Sequence, residues 1–221
     1  NKIYSKYNNL IFVSRDNMLK FNEIYPDINV DKQVIYNYID KEKVLKKAED
    51  GQDIKFDEDV VNFVTVTRLV EQKAIDRLIK VHKKLIDNGY YHKIYVIGDG
   101  PEREKLENLV KANSVNETFL LFGKKENPYP YIKNATYFCL LSKFEGYGMV
   151  IEEAKILNKP IIITDTAARE ALVNYKNSKI LNNTEEGIYN GLKKAIETKL
   201  QESETEVYDN ENIIEELKSI L

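Results

Sequence analysis

The sequence predicts an α/β domain with a parallel sheet and helices on both faces, and two observations predict it. From Val60 onward, short apolar runs alternate with stretches of helical spacing, the order expected when helical crossovers join parallel strands. Of nine glycines, five (Gly98, Gly100, Gly123, Gly146 and Gly148) directly follow those apolar runs. They collect turns at the carboxyl edge of the sheet, where open parallel sheets bind ligands.

The elements follow in order. Residues 10–14 read as an opening strand, 16–25 as a helix and 33–37 as a second strand. The polar segment 40–59 holds a Lys-rich helical piece and Gly51-Gln52-Asp53, and reads as a linker. The main domain then runs strand 62–66, helix 74–87, strand 93–97, helix 101–112, strand 119–122, a short helix at Tyr131, strand 137–141, helix 149–157 and strand 160–164. Further helices are expected over 167–174, 185–198 and 212–221. The expected division is 1–59 as the end of a preceding domain plus linker, 60–200 as the ligand-binding domain, and 201–221 as a polar spacer and terminal helix.

Composition narrows the function. The 221 residues carry 33 Lys and Arg against 36 Asp and Glu, a formal charge of −3, which argues against a broad basic surface for nucleic acid. Cys139 is the single cysteine and lies in an apolar run, so it reads as core packing. No run approaches the ~18 apolar residues of a spanning helix, so the protein is expected in the cytoplasm, with any membrane contact peripheral. The chain starts at Asn1 and enters a strand almost at once, which suggests a piece of a longer polypeptide.

The most informative stretch is Phe144-Glu145-Gly146-Tyr147-Gly148-Met149-Val150-Ile151-Glu152-Glu153-Ala154. Two carboxylates, Glu145 and Glu153, flank a glycine turn that opens a helix. Val150, Ala154 and Leu157 mark the buried stripe at i, i+4 and i+7, and Glu153 falls inside it, where a carboxylate needs a partner. Glu152 is expected to point away and be solvated. Gly146 and Gly148 permit close backbone approach, and the free N–H groups and dipole of the helix start favour a phosphate.

Other candidates lie on the same edge. Thr67-Arg68-Leu69-Val70-Glu71-Gln72-Lys73 places two cations after the first main strand, suited to clamping a diphosphate or equally to standing as solvated loop charges. Gly98-Asp99-Gly100-Pro101-Glu102-Arg103 is half of a dinucleotide fingerprint, with Arg103 where the third glycine belongs, and reads as a strand-to-helix turn lining the site with Pro101 opening its helix. Tyr129-Pro130-Tyr131, after Lys124 and Lys125, offers rings on which a base could stack. Asp57-Glu58-Asp59 precedes its strand and so falls on the opposite edge, as a solvated run. His82 and His92 have no ligand-spaced Cys or His, which speaks against zinc, and neither is placed as a general base. There is no P-loop, no G-x-S-x-G elbow and no Cys–His arrangement.

Taken in order, Arg68 and Lys73, Gly98-Asp99-Gly100-Pro101, Phe122-Gly123, Glu145-Gly146-Tyr147-Gly148 and Glu153-Ala154 resemble the donor-binding half of the retaining GT-B glycosyltransferases of group 1, or family 4. The resemblance spans roughly residues 60–195, and Val34-Ile35-Tyr36-Asn37-Tyr38-Ile39-Asp40 is similar to the family's interdomain connection. Residues 127–135 look most like members that build capsular and other surface polysaccharides. The resemblance implies a Rossmann-like domain, one half of a GT-B fold, that takes a nucleotide diphosphate-sugar, most often a UDP-sugar, as substrate without cofactor or metal. It implies Glu153 on the ribose hydroxyls and Glu145 on sugar hydroxyls. The backbone of Gly146, Tyr147, Gly148, Met149 and Val150 would face the diphosphate and sugar. Gly98 would line the site, with Gly123, Lys124 and Lys125 bordering the base. Arg68 and Lys73 would counter the charge that grows on the leaving diphosphate. An acceptor domain preceding Asn1 would supply a glycan or lipid-linked acceptor.

Departures from the family pattern are Thr67 and Ala74 where glycine is common, Asn158 where a helix ends on glycine, and Ala167-Ala168 in place of a glycine pair. Competing readings are a noncatalytic nucleotide-sugar-binding subunit that pairs with a separate acceptor-binding chain, and a nucleotide-sugar epimerase of the same fold. A signalling receiver would need acidic residues where Thr67 and Arg68 stand.

Overall fold

The computed structural model describes residues 3–50, 56–198 and 211–218. Six parallel strands form the central sheet: β3 (Asn62–Val66), β4 (Lys93–Ile97), β5 (Phe119–Gly123), β6 (Tyr137–Leu140), β7 (Ile161–Thr164) and β8 (Ser178–Leu181), in the order β5-β4-β3-β6-β7-β8. The chain steps outward from β3 in one direction and then returns to lay β6 on its other side. The strand order therefore reverses between β3 and β6, the topological switch point where the loops diverge and leave a crevice.

Both faces of the sheet are covered, which is why β6 and β7 are buried at every position. On one face, α3 (Ile75–Asp87), α4 (Arg103–Ala112) and α7 (Glu185–Thr198) pack Leu78, Leu85, Leu106 and Leu192 against Phe63, Ile94, Phe119 and Tyr137. On the other, α5 (Tyr129–Asn134) and α6 (Met149–Ile156) pack Ile132, Ile151 and Ala154 against Val64, Phe138 and Ile163. Cys139 lies at the centre, opposite Ile162 of β7, and its burial pushes the thiol up to about 12.

Several elements differ from the sequence reading. The Lys-rich helix α2 (Lys41–Glu49) buries Val44 and Ala48 against α5 and α6, so it belongs to the main domain core, which extends back to Ile39. The edge strand β8 was not expected, because only Ile180 and Leu181 of its four residues are apolar. Helix α4 begins at Arg103, with Pro101 in the turn before it. Residues 167–174 form a 3-10 segment, Ala167–Leu172. A last helix, α8, runs Glu211–Lys218, and the remainder of its expected span lies outside the described residues.

Ahead of α2 stands a small unit: β1 (Asn9–Phe12), α1 (Arg15–Ile24) and β2 (Asp31–Val34), with β1 and β2 parallel. Ser14 caps α1 by accepting from the Asn17 N–H. Tyr4, Phe12, Phe21 and Tyr25 pack as an aromatic cluster, while Ile3, Tyr7, Ile11, Leu19 and Ile24 remain exposed.

The two histidines meet at the amino edge of the sheet, both fully buried. His92 Nδ1 lies 2.8 Å from the Tyr90 carbonyl and must donate to it. A neutral His92 therefore accepts at Nε2 from His82 Nδ1–H, 2.8 Å away, and His82 Nε2 accepts from the Thr118 hydroxyl at 2.8 Å. Desolvation first, and then the neighbouring ring, lowers His82 to about 2, and desolvation lowers His92 to about 4. The pair is a neutral structural chain.

Candidate functional site

The carboxyl edge of the sheet at the switch point is built from the loops after β3 and β6. Strand β3 runs into Thr67-Arg68-Leu69, and a 3-10 turn, Glu71–Lys73, follows. The loop after β6 is stitched to it: Lys143 N–H donates to Gln72 O at 2.9 Å, and Gln72 Nε2 donates to Phe144 O at 2.9 Å. Those bonds bring Lys73 against Glu145 in an ion pair, both side chains largely shielded from solvent. Two groups 72 residues apart in sequence thus meet over the crevice.

Helix α6 opens directly after it. Gly148 is left-handed (φ 78°) at the N-cap, where a Cβ would come within 3.1 Å of Ile151 Cδ1, and no side chain caps the helix. Met149 is exposed and Val150 half-buried, so this helix start, with its dipole, is open toward solvent. Tyr147 turns inward: its ring is buried and its hydroxyl donates to Glu152 Oε1 at 2.7 Å, leaving the backbone of the turn to meet a ligand.

The two glutamates of the helix are placed opposite to expectation. Glu152, expected in solvent, is 3% exposed and bonded to Tyr147 and to Lys155 Nζ at 2.9 Å. Glu153, expected on the buried stripe, is only partly buried. The buried arc of α6 is carried by Ile151 and Ala154, and the helix is enclosed on its Glu152 side as well by Tyr36 and Tyr147. Glu153 faces α5, where Tyr129 Oη donates to its Oε1 at 3.1 Å. Desolvation raises the Glu153 carboxyl, opposed by that hydrogen bond, and raises Tyr129 to about 12 with the Glu153 charge contributing.

Arg68 is exposed. Gly98 and Gly100 have a packing explanation: a Cβ on Gly98 would sit 1.8 Å from Thr67 O, and one on Gly100 2.4 Å from Leu69 O. They let the β4 loop lie directly on the β3 loop, held by Leu69 N–H to Asp99 O at 3.0 Å. Gly123 is left-handed (φ 71°), Lys124 and Lys125 are exposed beyond it, and Lys125 Nζ lies 5.8 Å from the Phe122 ring centroid. Asp57 and its neighbours sit at the amino edge, with Asp57 3.8 Å from Lys93 Nζ. Among the described residues, no three His, Cys, Asp or Glu side chains gather where an ion could be held. No helix among them is long and apolar enough to cross a membrane.

A second depression lies on the far side of the glycine turn. This cleft of about 780 Å³, between α1, α6 and the 3-10 segment, is lined by Arg15, Tyr36, Tyr147, Glu152, Lys155 and Glu170 among others. Sequence reasoning missed it because its walls come from residues more than 100 apart.

The six-stranded parallel sheet with helices on both faces defines a Rossmann-like α/β domain. Residues 46–213 match the family model of glycosyl transferases group 1, and the chain belongs to that family. It is 28% identical over 168 residues to the N-acetylgalactosamine-N,N'-diacetylbacillosaminyl-diphospho-undecaprenol 4-alpha-N-acetylgalactosaminyltransferase of Campylobacter jejuni, covering 75% of this chain and 44% of that protein. It is 30% identical over 138 residues to the O-antigen biosynthesis glycosyltransferase WclY of Escherichia coli, covering 61% and 37%. Among solved structures, TarM superposes with a TM-score of 0.78 at 18% identity over 99% of this chain and 45% of its own. HepE from Anabaena, crystallised with UDP and glucose, gives 0.72 at 15% identity over 89% and 56%. These likenesses establish the fold, and the chain spans less than half the length of the two curated relatives.

Proposed function

We propose that this chain is the donor half of a glycosyltransferase, binding a nucleotide diphosphate-sugar across the β3 and β6 strand ends. The observation that carries the reading is the Lys73–Glu145 pair beside an uncapped helix start at the switch point. An arriving diphosphate competes with Glu145 for Lys73. The exchange leaves the lysine on phosphate and frees the carboxylate to accept from sugar hydroxyls. Glu153, with Oε1 held by Tyr129, presents its other oxygen to the ribose. When the bond from the anomeric carbon to the phosphate oxygen breaks, charge grows on the leaving diphosphate. Lys73, the exposed Arg68 and the α6 N–H groups are the groups that would counter that charge, stabilising it more than the ground state. No cofactor is required by this scheme, and UDP, the nucleotide in the HepE crystals, is the first donor base to test.

The reading extends to transfer with retention to a glycan or lipid-linked acceptor in surface polysaccharide assembly, in keeping with the named activities of the bacterial relatives. Acceptor binding falls to a domain that continues the β1–β2 sheet. A two-stranded sheet is marginal by itself, and the exposed Ile11, Leu19 and Ile24 offer that domain an apolar seat. Whether it is joined to this chain or separate, the 221 residues alone are expected to bind donor without transferring sugar. Calorimetric titration with UDP-, GDP- and ADP-sugars, repeated with Glu153→Ala and Arg68→Ala, tests the site. Undiminished binding in both variants refutes it, and sugar transfer by the 221 residues alone refutes the division of labour.

A further inference from the structure

The cleft behind the glycine turn contains a continuous chain of contacts that donor binding, as described, leaves unused. It starts at Glu170, whose Oε2 accepts from the Arg15 N–H at 2.8 Å and whose Oε1 accepts from it at 3.0 Å. The carboxylate thereby covers the amino end of α1, a favourable place for an anion. Arg169 adds an ion pair to Asp16 at 2.9 Å in the first turn of the same helix. The Tyr36 hydroxyl, in the connection after β2, donates to Glu170 Oε1 at 2.7 Å, and desolvation, then Glu170, raises that phenol. The Tyr36 ring stacks on Tyr147, with centroids 5.3 Å apart and planes 23° from parallel. Tyr147 is the middle residue of the glycine turn, and Glu152 and Lys155 anchor its far end. A Cβ on Gly146 would come within 3.3 Å of Asn17 Nδ2, so α1 also touches the turn directly.

We propose that Tyr36 is a positioning residue for the donor site. By packing on Tyr147 it holds the glycine turn in the shape that receives the diphosphate and sugar, and Glu170 locks Tyr36 to the seated N-terminal unit. Donor affinity then depends on how that unit sits, although neither Tyr36 nor Glu170 meets the donor. The geometry favours this over a ligand site in the cleft, because the charged groups lining it are already engaged: Glu170 with the α1 amides, Arg169 with Asp16 and Asp165, Glu152 with Lys155, and the Arg15 side chain with Tyr36.

The proposal rests on the donor reading of the glycine turn, and the experiment separates the two. UDP and UMP affinities are measured by calorimetry on the full 221-residue chain and its variants. Tyr36→Leu is expected to weaken UDP about fivefold to tenfold, the range of an aromatic pair, while UMP, which lacks the second phosphate, stays within about twofold. Tyr36→Phe keeps the ring and most of the affinity. Unchanged UDP affinity in Tyr36→Leu overturns the proposal, as does an equal loss for UDP and UMP, which marks general damage. If Tyr36→Leu does not fold, Glu170→Ala decides: a loss of about threefold for UDP alone supports the coupling, and no loss overturns it. Failure of the unaltered chain to bind UDP at all removes the donor reading first and the proposal with it.

Discussion

At the amino edge of the central sheet, Thr118, His82, His92 and the Tyr90 carbonyl form a closed chain of hydrogen bonds in which every ring nitrogen has a partner. At the carboxyl edge, Lys73 and Glu145 have only each other, Glu153 has one oxygen held by Tyr129, and a helix begins without a side-chain cap. Both edges desolvate ionisable groups. The difference is that the histidine chain completes its bonds internally, whereas the charged groups at the carboxyl edge leave capacity over. Polar groups buried with all their bonds made report on stability, whereas groups held in place but incompletely bonded report on a ligand.

The largest effect expected on this contrast is at the amino edge. Both histidines have folded pKa values below the unfolded 6.5, so their stabilising contribution is complete above about pH 6.5 and is lost as the pH falls toward about 4 for His92 and about 2 for His82. The unfolded chain takes up protons that the folded chain refuses, and each ring weakens the fold by about 1.4 kcal/mol per pH unit through its window. Urea midpoints should drop steeply between pH 7 and 5. A flat profile there would contradict a neutral pair.

Next comes Gly98→Ala, which sharpens the boundary between packing and binding at the carboxyl edge. A Cβ 1.8 Å from Thr67 O, at φ 141°, forces the two loops apart, and a loss of about 2–4 kcal/mol is expected in the absence of any nucleotide. A variant as stable as the original but weakened in UDP binding would return Gly98 to the ligand-contacting residues. Lys73→Met removes a charged donor to the diphosphate and is expected to lower UDP affinity roughly tenfold to a hundredfold, with little change in urea midpoint. If stability falls and affinity does not, the pair with Glu145 is structural and the two edges are alike.

The smallest effect is at Tyr129. Tyr129→Phe frees Glu153 Oε1 and should cost about threefold in UDP affinity, with a smaller loss for 2'-deoxy-UDP. Because desolvation raises the Glu153 carboxyl, UDP affinity should also fall on mild acidification as that group protonates. Equal losses for UDP and its deoxy analogue would take Tyr129 out of ribose recognition.

The sequence made one of these edges far more legible than the other. Glycines after strands, the Arg68 and Lys73 spacing and the Glu145 to Glu153 interval are local signals, and the reversal of strand order between β3 and β6 follows from the alternation of elements. The histidine chain was not legible, since it joins α3 to the loops before β4 and β5 and no spacing announces it. Glu152 and Glu153 were assigned to the wrong environments for a related reason. Periodicity finds the face turned to the sheet, but α6 is also enclosed by Tyr36 and Tyr147, which come from elsewhere in the chain. Helix α2 read as a linker because its four lysines outnumber the two residues it buries.

The position of Cys139 gives the molecule a built-in clock. A thiol at the middle of the sheet, pushed up to about 12 and sealed between β3 and β7, meets no alkylating reagent while the strands are paired. At saturating reagent its labelling rate therefore measures how often the core around β6 opens. Adding UDP should slow that clock if donor binding draws the two loops together.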